Sequence, residues 1–360
     1  MAEYYILVLV TLLLCIFDFM QNQAIRLTVY IFYCLLLVLF AGLRAVGVDN
    51  DGASYEEVLQ IAGNTPWIDL VTGNYSEAME RGYLLLNKLI YVLGGDIRVV
   101  FLIMAFATGL VNYSLIFARS PFPFCSLFIY VCFFYYYRDF TQIRYALSAA
   151  LGMWSIFYFI DKNYIKSAVI IALASLIHGA VLVVPVLFVA YALCRNYLVY
   201  CMLPVLGLIG SFFNPVEYLL TIGGLPPTLA RYAEMDDLGK GGYFLSVVAQ
   251  VFILTVLIFK DRLLLYYRKR TIDLLLIAMS IASFINLLFI SFAIMQRLAL
   301  LLFGVVVFLM PFLFSTLETD EEDRYIALFC RFVFITMVVY YGLNMIDINL
   351  MRPYSIFERV

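Results

Sequence analysis

KSAVIIALASLIHGAVLVVPVLFVAYAL, residues 166–193, decides how this chain is threaded. It is 28 residues long and free of acidic side chains. One strongly tilted helix could absorb it. Two short passes meeting at Ile177-His178-Gly179 could do so equally, and each choice reverses the sidedness of everything on one flank. The rest of the chain therefore has to decide between them.

The composition sets the class. Of 360 residues, 65% are hydrophobic and 13% charged, with a mean hydropathy of +0.98. A soluble protein of this length cannot hide so much apolar surface. Apolar runs occur near 4–20, 25–43, 99–118, 124–137, 141–160, 166–177, 179–194, 197–213, 243–259, 272–293, 298–317 and 325–345. Most approach the length a spanning helix needs and lack the alternation of an outer-membrane barrel. The expectation is an all-α, polytopic membrane protein with 11–12 transmembrane helices in one domain over 1–360. The opening run reads as the first spanning helix rather than a cleaved signal, because no basic segment precedes it. A net charge of −2 argues against nucleic acid as a partner. Twenty-eight Tyr and 32 Phe suit aromatic belts. The seven cysteines form no CxxC and sit in or beside apolar runs, which reads as small hydrophobes rather than metal ligands or a disulfide framework.

Two hydrophilic connections interrupt the runs, 44–98 and 214–242. The loop KDRLLLYYRKR (260–270) carries five basic residues and is the strongest cytoplasmic signal. Placing it inside puts 214–242 outside. If 166–193 crosses twice, Arg26, Arg119, Lys162, Lys166 and Arg195 also fall inside, and 44–98 falls outside. The double crossing is therefore the reading adopted, and it sets His178, the only histidine, at the outer turn. Within 44–98, ERGYLLLNKLIYVLGG (80–95) is too short to span; an interfacial or re-entrant helix is expected.

On the outer side, where topology does not favour them, lie Arg44, Arg138, Arg144, Arg231 and Arg297. An arginine in hydrocarbon costs at least about 2.5–3.5 kcal/mol. Each alone is accounted for by snorkelling or by pairing with Asp49, Asp51, Glu80 or Asp139. Five converging on one face point to an anionic ligand, and guanidinium forks suit phosphate or diphosphate. Asp49-Asn50-Asp51-Gly52 resembles the start of a calcium loop, but its glycine comes two positions early. Asp49-x-Asp51 also mimics the DxD of nucleotide-sugar transferases and fits equally well a turn that orders the loop. His178 reads either as a satisfied core residue or as a base reachable by a headgroup. There is no HExxH, P-loop or GxSxG.

Six segments, in order, resemble the EpsG-like group of Wzy-type bacterial polysaccharide polymerases: GLRAVGVDNDGASY, ERGYLLLNKLI, RDFTQIRYALSAAL, ASLIHGAVLVVPVLFV, LARYAEM and MQRLALLLFGVVVFLMP. Asp49-Asn50-Asp51 departs from the Asp-Thr or similar pair common there, which favours Asp49 over Asp51 for a role. The resemblance implies an enzyme similar to GT-C membrane glycosyltransferases, acting at the outer face of the bacterial cytoplasmic membrane. It would join repeat units carried on undecaprenyl diphosphate, with the lipid diphosphate as leaving group and no nucleotide sugar. Because arginines can take a metal's place on diphosphate, no metal or cofactor is expected. A chain-length-regulating copolymerase is an implied partner. On that reading the arginines bind diphosphate. His178, with Asp49 as second choice, takes the acceptor proton. Asp51, Tyr55, Glu80 and Tyr232 contact sugars. Three rival readings are an O-antigen ligase with the same donor, a lipid-linked oligosaccharide flippase or other transporter, and an integral-membrane acyltransferase. The lack of an internal repeat and the gathering of charges toward one face count against a transporter.

Overall fold

A computed structural model describes residues 1–75, 79–222, 242–317, 324–347 and 351–356. Lipid offers backbone groups no partners, so an apolar run has to satisfy its own N–H and C=O groups as a helix. Each of the twelve runs is helical. Seven helices are long and apolar enough to cross a membrane. An eighth span arises if Phe244–Ile258 and Lys260–Tyr266, bent by 72° where they meet, count together. Tyr164–Ser175, Gly179–Leu193 and Tyr197–Ser211 are shorter apolar helices. Among the described residues there is no strand, only the isolated antiparallel bridges Arg44↔Ile356 and Asp49↔Met351. The chain is an all-α, multi-pass membrane protein.

Burial separates centre from rim. Ile294–Leu317 is 89% buried and Lys269–Leu288 is 78% buried, whereas Leu328–Met345 is 17% buried. The first two form the middle of the bundle and the last lies at its rim. Beside them runs a wound segment rich in rings, VCFFYYYRDFT, a π-helix over Val131–Thr141. Its hydroxyls are used internally: Tyr135 donates to the Leu37 carbonyl at 2.6 Å and Tyr136 to that of Tyr4 at 2.7 Å. π-Helical turns gather at functional sites, and this one delivers the chain to Gln142, where the Ile143–Ile160 helix begins.

Polar contacts sort the turns into two ends. At one end, Arg119 pairs with Asp161, Arg26 donates to the Pro121 carbonyl at 3.2 Å, and Tyr267 bonds Ser315 at 2.6 Å. Arg270 sits there over the rings of Phe159, Tyr164 and Tyr191. At the other end, Glu80 meets Arg144 and Gly179, Tyr145 donates to the Arg297 carbonyl at 2.6 Å, and Tyr4 donates to the Arg352 carbonyl at 2.8 Å. The 166–193 stretch thus leaves the first end at Tyr164, turns at His178 in the second, and returns at Tyr191. The twelve-residue arm Tyr164–Ser175 rises only about 18 Å, less than a bilayer core of about 30 Å. The Ser148 hydroxyl donates to the His178 carbonyl at 2.9 Å and holds the turn against the Ile143–Ile160 helix.

Over this second end lies the 44–98 connection. It holds the helices Gly52–Asn64, Trp67–Thr72 and Arg81–Val92, the last ending in Gly94 at φ +77°. Tyr55, Val58, Leu59, Ala62, Leu70, Tyr83 and Leu84 make a small core of their own that continues onto Val100, Phe101 and Met104 of the Ile97–Arg119 helix. Gly82 lies so close to the hairpin that a Cβ would meet the Leu176 carbonyl at 2.6 Å, and its amide donates to that same oxygen at 2.8 Å. The layer is thereby locked to the turn bearing His178.

Candidate functional site

A cavity of about 190 Å³ opens where that layer meets the bundle. Asp51, Ser54, Tyr55 and Met79 line it from the connection, Gln142, Arg144 and Tyr145 from the start of the Ile143–Ile160 helix, His178 from the hairpin, and Arg297 from the central span. Three of these, Asp51, Gln142 and His178, are the residues that precede a helical turn. Helix N-termini carry partial positive charge, which adds to that of the cavity's two guanidinium groups.

Arg144 is oriented by Glu80, with which it forms an ion pair. The other Glu80 oxygen accepts the Gly179 amide at 2.8 Å. One carboxylate therefore ties three elements together and fixes the arginine's aim. Arg144 Nε and Gln142 Oε1 remain buried without a hydrogen-bond partner, an arrangement that costs roughly 1–3 kcal/mol per group unless a ligand completes it.

His178 Nδ1 accepts the Ala180 amide at 3.1 Å. Burial, reinforced by the Arg144 and Arg297 charges, lowers its pKa to about 3, so the ring is neutral. With Nδ1 accepting, the proton resides on Nε2. The ring is an N–H donor toward the cavity region and a poor base. Asp51 differs: its backbone amide donates to Asp49 at 2.9 Å, and its side chain lines the cavity. Burial raises its pKa above the usual carboxylate value, against the opposing pull of Arg297, with Asp49 adding to the rise.

Of the residues singled out in the sequence, Asp51, Tyr55, Arg144, His178 and Arg297 come together at the cavity, and Glu80 stands behind Arg144. Arg44, Asp49 and Arg138 do not line it. Arg44 is fully buried, paired with Asp49, donating to the Ala41 carbonyl at 2.6 Å, and set 4.0 Å from the Phe101 ring centre. Asp49 also accepts the amides of Asp51 and Gly52, so it starts the Gly52–Asn64 helix. Arg138 donates to the Leu300 carbonyl and lies 4.0 Å from the Phe134 ring centre. That carbonyl is available because the central span breaks at Gly304, whose amide turns to Leu301 instead. A Cβ at Gly304 would sit 2.9 Å from Met153 Cε and 3.0 Å from the Leu301 carbonyl oxygen, so the backbone packs closely at the break. Arg231 and Tyr232 lie outside the described residues. Ser54, Met79, Gln142 and Tyr145 line the cavity without having been singled out; Gln142 and Tyr145 bracket Arg144 in RDFTQIRYALSAAL and could have been found from that. Among the described residues no group of three or more His, Cys, Asp or Glu gathers to hold a metal ion.

The model of the EpsG family matches residues 27–356. Neither a curated protein nor a solved structure matches the chain.

Proposed function

The chain belongs to the EpsG family of Wzy-like polysaccharide polymerases, and from that premise we propose that the cavity joins lipid-linked oligosaccharide repeat units at the outer face of the cytoplasmic membrane. The observation that carries the reading is the meeting, in one recess, of the Asp51 carboxylate, two arginines and a neutral N–H donor.

Arg144 and Arg297 grip the diphosphate of an undecaprenyl-diphosphate-linked glycan. The acceptor is the terminal sugar hydroxyl of a second lipid-linked unit. As the bond from the donor's anomeric carbon to the diphosphate oxygen breaks, the acceptor oxygen forms the new glycosidic bond. Its proton passes to the Asp51 carboxylate, whose raised pKa suits a base working nearer neutral pH. The electron pair of the broken bond leaves with the lipid diphosphate, and the arginines stabilise that charge. His178 Nε2–H supplies a further donor to a phosphate or sugar oxygen. Tyr55 and Tyr145 form apolar walls with a polar edge, as sugar faces require.

Purified protein supplied with one defined undecaprenyl-diphosphate-linked repeat unit tests this. The expected products are a ladder of multiples of the repeat and free undecaprenyl diphosphate in equal number to the bonds made. Folded protein that yields neither from its native repeat unit overturns the proposal.

A further inference from the structure

Residues 351–356 take no part in the chemistry above, yet they are built onto its framework. Two backbone hydrogen bonds join them to the loop after Arg44: the Ala45 amide donates to the Ser355 carbonyl at 2.9 Å, and the Arg352 amide donates to the Val48 carbonyl at 2.8 Å. The bridges Arg44↔Ile356 and Asp49↔Met351 bracket them. The Tyr354 ring stacks on Phe40 at 4.2 Å with an interplanar angle of 9°, and also contacts Tyr4 and Phe140. Phe140 in turn lies 5.1 Å from the Arg44 guanidinium.

The consequence lies two residues further along. The 44–49 loop has no strand partner among the described residues other than this segment. The same loop carries Asp49, whose carboxylate holds the amides of Asp51 and Gly52 and pairs with Arg44. Where Asp51 points is thus set by Asp49, and where Asp49 sits is set by a strip of chain about 300 positions away in sequence.

We infer that residues 351–356 are a positioning strap for Asp51, with Tyr354 as its anchor. The inference rests on the cavity being the catalytic site. The strap touches neither the Arg144–Glu80 pair nor Arg297, so it governs the base and not the grip on diphosphate. Loss of the strap lowers turnover and leaves donor binding in place, whereas a general loss of structure lowers both.

The test compares Tyr354→Ala, Tyr354→Phe and a chain ending at Leu350, each checked for an unchanged elution profile and melting temperature. Amide hydrogen exchange comes first because it needs no activity. Exchange at Ala45 and at 48–52 is faster in Tyr354→Ala and in the shortened chain, while the Ile143–Ile160 helix is unaffected. In the polymerisation assay, Tyr354→Ala loses kcat by roughly 10- to 100-fold, the order of a misplacement near 1 Å, at a donor KM close to wild type. Tyr354→Phe keeps the ring and restores the rate. Unchanged exchange at 45–52 in the shortened chain overturns the strap. So does a KM that rises in step with the fall in kcat, or full turnover in Tyr354→Ala. An inactive wild type would instead count against the polymerase reading and leave the exchange result to judge the strap.

Discussion

His178 accepts the amide of Ala180 through Nδ1 at 3.1 Å, so the neutral ring presents its proton on Nε2. The bond also starts the turn that returns the hairpin to the other end of the bundle. Two roles on two nitrogens can be separated by amides. In His178→Asn the side-chain oxygen takes the place of Nδ1 and keeps the turn, but the donor is lost. In His178→Gln the amide nitrogen reaches the place of Nε2. Turnover falls roughly 10²-fold in the Asn variant, the order of losing one aimed donor, and His178→Gln recovers most of it. Equal, complete loss in both variants would make His178 the base after all.

The acidic side of the pH–rate profile should belong to Asp51. Its pKa is raised by burial, with Arg297, Asp49, Arg144 and Arg44 as the charges acting on it. A base works deprotonated, so activity is present above this pKa and is lost as pH falls through it, at a higher pH than for an ordinary carboxylate. Removing the Arg297 charge raises the Asp51 pKa further. Arg297→Gln therefore shifts the acidic limb upward as well as weakening donor binding. With the His178 pKa near 3, no step appears around pH 6.5. Rates at saturating donor from pH 4 to 9 check both points.

Arg44 and Asp49 are a buried pair, each 0% exposed at the side chain. Removing one partner strands the other's charge, a cost of about 3–5 kcal/mol. Arg44→Ala is expected to lose folded protein in detergent, seen as a large drop in melting temperature. Arg144→Ala, with 14% side-chain exposure and an open cavity beside it, stays folded and loses donor affinity.

Glu80→Gln keeps the shape of the side chain and removes its charge. Arg144 then loses its ion pair and the Gly179 amide keeps an acceptor. Donor KM rises by roughly tenfold, the order of one hydrogen bond to a charged group, with a smaller change in kcat. A kcat effect without a KM effect would place Glu80 in the chemistry rather than behind Arg144.

The helices were legible in the sequence because lipid imposes length and composition on every run. The break of 166–193 into two helices at His178 was read from the placement of basic residues. Side-chain partnerships were not legible. Five arginines read as one cluster because position along a helix shows which end a residue occupies, not which neighbour fills its guanidinium. The structure sets two of them apart by local causes: Asp49, five residues on, takes Arg44 into the core, and the helix break at Gly304 frees a carbonyl that claims Arg138. Asp49 and Asp51 read as a spaced pair with Asp49 favoured for a role. The helix beginning at Gly52 turns the first into its support and the second toward the cavity. The π-helix at Val131–Thr141 has no signature in a 3.6-residue period, which is why Gln142 went unmarked beside Arg144.

The central claim is that the recess around Asp51 is where the glycosidic bond forms, and Asp51→Asn tests it most directly. The variant is nearly isosteric, keeps the backbone bond to Asp49 and cannot accept the proton. Measured as bonds formed per enzyme in the first turnovers on a defined lipid-linked repeat unit, it should run roughly 10²–10⁴-fold slower than wild type with unchanged donor binding. A rate within threefold of wild type in folded protein would contradict the account and move the chemistry out of this cavity.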